Sequence, residues 1–332
     1  MSQTSEMPTE TQAALGAAQN PFAPIDLPEP PPVETAAAIA PAPRTFGSVA
    51  RDVIALTKPR ITLLVIITMV GGMGLAKRVE PSTDISLVKA FFALLGTSLV
   101  VSGASAFNMY LERDTDALMD RTKRRPLPSG RLPAGVALAV GSVLGFAAVP
   151  ILMWQVNLLT SVIAGLALVT YSFVYTPLKR RTTLALPIGA VPGAVPPLLG
   201  WTAVTGRVDI AGLVLFAILF LWQLPHSLAI ATFRCEDYKR AGTKVLPAEQ
   251  GDRVTRIHIV IESLLLVGVS VLLVPLGVAG AFYLVSALLL GGAFLAFAFA
   301  GLRRSAGHKW ARMLFAVSIF YLLLLMVALT VG

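Results

Sequence analysis

Long apolar runs separated by short charged segments constrain this chain more than any other feature. A helix needs ~20 largely apolar residues to cross a bilayer, and only helices or closed barrels satisfy their own backbone there. The sequence holds nine such candidates, at about 60–76, 85–107, 133–153, 156–176, 183–204, 209–230, 256–279, 281–301 and 311–331. Splitting 256–301 into two helices rests on length and on the Gly277–Gly280 region. Only 14% of the 332 residues are charged, against roughly a quarter in soluble domains. The chain therefore reads as an all-α polytopic membrane protein. Its net charge of +9 does not point to nucleic acid, because the cations sit in short loops between the spans.

Orientation follows from where those cations fall. Of the 27 Lys and Arg residues, all but Lys77, Arg78, Lys89 and Arg207 lie before the first span or in the even-numbered loops. That sorting predicts a cytoplasmic N-terminus, cytoplasmic even loops and a C-terminus on the opposite face. The single cysteine, Cys235, excludes an intrachain disulfide and fits a reduced, cytoplasm-facing loop. Residues 1–43 contain no Lys or Arg and are rich in Pro, Ala and Glu. They lack the basic start and apolar run of a secretory signal. Residues 1–45 read as a disordered cytoplasmic tail of a bacterial protein, with 46–332 as the membrane domain.

Two even loops stand out by length and mixed charge, 108–132 and 231–255. Four helices separate them, the spacing a diverged internal duplication would give. Both lie on one face and so can close over one cavity. In the first, Asn108, Glu112, Asp116 and Asp120 recur every four residues. At about 100° per residue they drift only ~40° per step, forming one oxygen-rich ridge on a continuing helix. Mg2+ takes oxygen ligands and commonly bridges carboxylates to phosphates, and Asn108, Glu112 and Asp116 offer that set. The same spacing also suits a solvated helix end. Arg121, Lys123, Arg124 and Arg125 follow at once. Arginine forks match phosphate oxygens, although a positive-inside signal accounts for the count alone. The second loop again mixes signs in Arg234-Cys235-Glu236-Asp237-Tyr238-Lys239-Arg240.

Between the loops, one apolar span carries Pro187, Pro192, Pro196 and Pro197 with Gly189, Gly193 and Gly200. So many helix breakers inside a membrane require neighbours or a cavity to satisfy the freed backbone, which favours a helix shaped around a ligand. His226 lies near the end of the sixth span, where ionisable residues are functional candidates or hydrogen-bonding core groups. His258 and His308 fall at helix ends and read as interfacial.

At these residues the sequence resembles the UbiA-type intramembrane prenyltransferases, and among them the heme-modifying branch. The resemblance covers about 50–330. It rests on Asn108, Glu112 and Asp116, on Arg-Thr-Lys-x-Arg-Pro-Leu at 121–127, on Tyr175 to Lys179 and on Gly-Ala-x-Pro-Pro-x-x-Gly-Trp at 193–201. Trp-Gln-x-Pro-His at 222–226, Asp-Tyr-x-x-Ala-Gly at 237–242 and Leu246-Pro247 complete it. Two positions depart from the family pattern: Glu112 stands where Asp is usual, and Glu236 and Asp237 replace an Asp-x3-Asp second motif.

The resemblance implies about nine helices around a central intramembrane cavity. It implies Mg2+ on Asn108, Glu112 and Asp116 with Asp237 opposite, leaving one or two ions open. Arg121, Lys123, Arg125, Lys179, Arg234 and Lys239 would then bind diphosphate. Tyr171 and Tyr175 would face an allylic cation, and His226 would hold heme or move a proton. The implied reaction joins the farnesyl group of farnesyl diphosphate to a vinyl group of heme b, with addition of water, in the bacterial inner membrane. The product, heme O, would pass to heme A synthase or terminal oxidase assembly. Another acceptor (a quinone precursor or other tetrapyrrole), a transporter and a non-catalytic assembly subunit are the alternatives.

Overall fold

The structure is a computed structural model that describes residues 45–83, 85–303 and 305–331. The tail expectation for residues 1–45 falls outside it up to residue 44. Nine helices among the described residues are long and apolar enough to cross a membrane. They are α1 (Pro59–Val79), α2 (Leu87–Leu111), α3 (Ala134–Gln155), α4 (Leu158–Leu178), α5 (Ala185–Thr205), α6 (Ile210–Phe233), α7 (Gly251–Val271), α8 (Ala281–Ala300) and α9 (His308–Val331). No strand occurs among the described residues.

Lipid tails are as apolar as leucine, so close approach of small residues, more than apolar burial, brings such helices together. Gly96 of α2 faces Leu152 of α3, while Gly103 meets the main chain of α3 at Gly141 and Gly145. Gly72 of α1 faces the Pro197 carbonyl, and Gly200 of α5 faces the Met69 carbonyl. A Cβ at either glycine would strike backbone. Large side chains such as Phe146, Trp154, Leu289 and Phe320 point outward, where a membrane protein meets lipid.

The expected kinks are present. α5 breaks at Ala194 between Ala185–Gly193 and Val195–Thr205, and its apolar window is the most enclosed of the nine. α4 contains a π-helical stretch, Thr170–Tyr175, that sequence reading does not anticipate. α7 starts at Gly251 and ends at Val271, so the span expected at 256–279 is displaced toward the N-terminus. Residues 272–280 form turns instead, with Gly277 at φ +70, a left-handed conformation that glycine adopts without steric cost.

Charged segments gather at the two ends. At one end Arg207 pairs with Glu80 and Asp209, and Arg78 donates to the Leu329 carbonyl beside the C-terminus. At the other lie both long loops. There an amphipathic helix, Phe46–Leu56, begins on a Thr45 cap and buries Leu56 against Ala106, Met109, Leu127, Leu132 and Ala137. Arg131 pairs with Asp52 at 3.0 Å. This small second core seats the first acidic loop on the membrane helices.

Candidate active site at the charged end

The oxygen ridge exists but is shorter than its spacing predicts. α2 ends at Glu112 (φ −97, ψ 6), and a five-residue helix, Arg113–Ala117, carries the chain one turn further. Asp120 lies beyond it in a turn, bonded to Lys123 at 2.6 Å and Arg240 at 2.7 Å. Two contacts fold the chain back there: Thr122 donates to the Asp116 carbonyl, and Arg125 reaches the Asp116 carboxylate at 2.6 Å. Asn108, Glu112 and Asp116 remain grouped.

Each of the three ridge side chains turns one oxygen to a cation. Lys58 Nζ donates to Asn108 Oδ1 at 3.0 Å, Lys179 Nζ to Glu112 Oε1 at 2.7 Å, and Arg125 to Asp116 Oδ2. The Asn108 amide also donates to Thr176 Oγ1 at 3.2 Å. Asn108 and Asp116 are 2% and 1% exposed. Burial alone would raise the Glu112 carboxyl, but the Lys179 ammonium, Lys58 and the Asn108 amide outweigh it and hold it below its ordinary value. Burial also works against the Lys179 charge, yet Tyr175 and Glu112 keep it above its ordinary value.

Lys58 is the residue that sequence reading missed, counting it only as flanking charge. It is the one non-glycine residue with positive φ among those described (φ 48, ψ 62), directly before Pro59. Such a conformation costs on the order of 1–3 kcal/mol and persists where the surroundings enforce it. Here it aims the side chain back at Asn108. Burial, then Arg125 and Lys179, push its ammonium down to about 7.

An apolar cavity of about 360 Å³ adjoins this cluster. Tyr171 and Tyr175 line it from the π-helical stretch, their ring centroids 5.2 Å apart. Lys179 Nζ sits 4.4 Å from the Tyr175 ring centre and so joins the charged cluster to the cavity wall. Gly189 and Gly193 of the broken α5 lie directly against Tyr175 and Gln223. Trp222, Gln223 and His226 line the α6 side.

The second loop repeats the device of the first. α6 ends at Arg234 (φ −117, ψ 16) and Cys235–Arg240 forms a short helix. Asp237 is buried and paired with Arg240 and, at 3.5 Å, with Arg234. Arg240 also holds Asp120, Arg121 stacks over Tyr238 at 5.7 Å, and Lys244 N donates to the Lys179 carbonyl at 2.8 Å. The loops therefore touch, as their shared face predicts. The structure brings Asn108, Glu112, Asp116, Arg125, Lys179, Tyr171 and Tyr175 together and adds Lys58 and Thr176. Lys123 and Lys239 instead point outward, paired with Asp120 and Glu236.

The donor set suits a hard cation in kind, since it is all oxygen. Asp116 Oδ1 is buried without a hydrogen-bond partner, an acceptor left available where one ligand would bind. No group of three His, Cys, Asp or Glu residues able to hold a metal occurs among the described residues. The ridge thus fits as an amide-and-carboxylate set whose charges are now met by Lys and Arg.

Comparisons with known proteins agree with this architecture. The UbiA prenyltransferase family model matches residues 64–324. The protoheme IX farnesyltransferase of Sorangium cellulosum (strain So ce56) is 55% identical over 279 residues, spanning 81% of this chain and 100% of that relative. Its counterpart in Myxococcus xanthus (strain DK1622) is 46% identical over 285 residues, 86% of this chain and 95% of the relative. A digeranylgeranylglyceryl phosphate synthase structure superposes with TM-score 0.72 at 17% identity, covering 85% of this chain and 98% of the other. A UbiA homolog from Archaeoglobus fulgidus, described as bound to DMAPP and Mg2+, gives TM-score 0.58 at 15% identity over 85% and 100% of the two chains. At such identities the structures speak for the fold alone, whereas the family match and the curated relatives speak for kinship along most of the chain. The chain belongs to the UbiA prenyltransferase family.

Proposed function

We propose that this chain farnesylates heme b, taking the prenyl group from farnesyl diphosphate and yielding heme O and diphosphate. The observation that carries the reading is the partly buried mesh of three cations and three oxygen-bearing side chains beside an apolar cavity. The acceptor comes from the relatives, at 55% and 46% identity over nearly their whole length, which are named for protoheme IX.

Asn108, Glu112 and Asp116 would hold Mg2+, and the bound ion would neutralise charge on the leaving diphosphate, while Asp237 stays paired with Arg234 and Arg240. The chain's own cations supply the rest. When a diphosphate enters, Lys58 exchanges the Asn108 amide oxygen, and Lys179 and Arg125 their carboxylate oxygens, for phosphate oxygens, freeing the three side chains that would hold the metal. Arg121 and Arg234 stand further out along the same end. The allylic C–O bond breaks with its electron pair leaving on diphosphate. The Tyr171 and Tyr175 rings, which line the cavity, would stabilise the resulting cation, and the apolar lining would keep bulk water from it. The heme vinyl π electrons form the new C–C bond, and water adds to the carbon left deficient, losing a proton. His226, on the α6 wall, holds the heme.

In this reading the charged end faces the cytoplasm of a bacterial inner membrane, supported by the bias of Lys and Arg toward it. Incubating the purified chain with farnesyl diphosphate, Mg2+ and heme b tests the reaction. The expected product is heme heavier by one farnesyl group and one hydroxyl group, with diphosphate released in equal amount. Heme b recovered at unchanged mass overturns the proposal.

A further inference from the structure

Ser318, on α9, has no role in the scheme above, yet three polar contacts converge on it. It is fully buried. Its Oγ lies 2.7 Å from His226 Nδ1 and 2.7 Å from the Phe315 carbonyl oxygen, and its own carbonyl accepts from Trp222 Nε1 at 2.6 Å. A serine hydroxyl has one proton to give and lone pairs to accept with, while a carbonyl only accepts. The proton therefore goes to Phe315, and a lone pair faces His226. Nδ1 must then carry the hydrogen of that bond. Neutral imidazole has a single N–H, so Nε2 is left with its lone pair.

The ring is also held in orientation. Its centroid lies 4.6 Å from that of Trp222 and 4.7 Å from that of Phe315, one aromatic neighbour from its own helix and one from α9. Nδ1 alone of its two nitrogens has a hydrogen-bond partner among the described residues, and the side chain lines the cavity. We propose that Ser318 is a positioning residue that locks His226 as the Nδ1–H tautomer, so that Nε2 offers its lone pair to the iron of the tetrapyrrole acceptor. The proposal rests on the heme reading of the cavity.

The choice of partner matters. A histidine ligand is oriented by whatever takes its second N–H, and a carboxylate there also raises its basicity. A serine hydroxyl orients without adding charge. It leaves a neutral and comparatively weak ligand, suited to a tetrapyrrole that must leave once modified.

The test is heme b titration of the purified full chain without prenyl diphosphate, read by optical spectrum and affinity, followed by steady-state kinetics. His226→Ala is expected to lose the imidazole-ligated spectrum and to regain it with added imidazole. Ser318→Ala is expected to weaken heme binding about tenfold and to raise the KM for heme. The KM for farnesyl diphosphate and kcat at saturating heme should stay near wild type, a split that a general packing defect would not produce. Ser318→Thr, which keeps the hydroxyl, should restore both affinity and spectrum. Should Ser318→Ala fold poorly, Ser318→Cys has nearly the same volume and a weak acceptor, and should shift heme affinity in the same direction. Wild-type heme affinity and spectrum in a folded Ser318→Ala or Ser318→Cys protein overturns the positioning role. An unchanged spectrum in His226→Ala overturns the ligand assignment while leaving the reaction standing; failure of the wild-type chain to farnesylate heme removes the reading beneath it.

Discussion

The two acidic loops share one construction and differ in how their charges are met. Each follows a spanning helix, breaks at one residue (Glu112 or Arg234) and continues as a short helix with acids in its first turn. In the first, two partners are distant in sequence, Lys58 for Asn108 and Lys179 for Glu112, while Arg125 folds back nine residues onto Asp116. In the second they are local, with Arg234 and Arg240 on Asp237 and Lys239 on Glu236, all three residues apart. Local pairs whose cations stay exposed contribute little because water and salt screen them. The partly buried Lys179–Glu112 pair, drawn from separate segments, cannot separate without leaving a charge uncompensated unless another ion takes a partner's place. The first loop is thus part of the cavity's framework, whereas the second is a cover held to it through Arg240, Tyr238 and Lys244.

The greatest separation between the loops should appear in turnover. Chelating divalent metal, or Asp116→Asn, should lower diphosphate release by about 10³-fold or more, by analogy with the loss of a preorganised charge-stabilising group. The variant should still insert in the membrane, as its elution in detergent will show. Asp237→Asn should cost about tenfold in the same assay. Equal losses from the two aspartates would erase the distinction.

Glu112→Gln and Lys179→Met should each reduce kcat by about 10²-fold, and the double variant by much less than the product, since the partners touch. Full additivity in that cycle would show that the pair does not act as a unit.

Lys58→Met tests the contact least visible beforehand. It should raise the KM for farnesyl diphosphate about tenfold, the scale of one charge-assisted hydrogen bond, with a smaller change in kcat. A rise confined to the KM for heme would place Lys58 on the wrong substrate. Smallest of all, Asp120→Asn should change KM by no more than about twofold at low salt, and not measurably at high salt, because exposed ion pairs are screened.

The span count was legible because lipid leaves a backbone few options, and the split near Gly277 followed from length. Site residues near a helix terminus were legible in part. Spacing grouped Asn108, Glu112 and Asp116 but extended the ridge to Asp120, because periodicity carries no signal for the fold-back that Thr122 and Arg125 impose. The Lys58 contact depends on a left-handed residue before proline, a conformation that propensity argues against. Ser318 stands in an apolar span where nothing in the local sequence marks it. Its importance comes from α6, 92 residues away in sequence, and no local pattern encodes that meeting.

The crossing of α1 and α5 carries one more consequence. Gly72 and Gly200 let the two main chains touch without intervening side chains, so these helices behave as a single strut. Bending the proline-rich span would drag its partner along, and with it Lys58 at the partner's start. The strut thus keeps the chemistry in register on that side of the helix bundle.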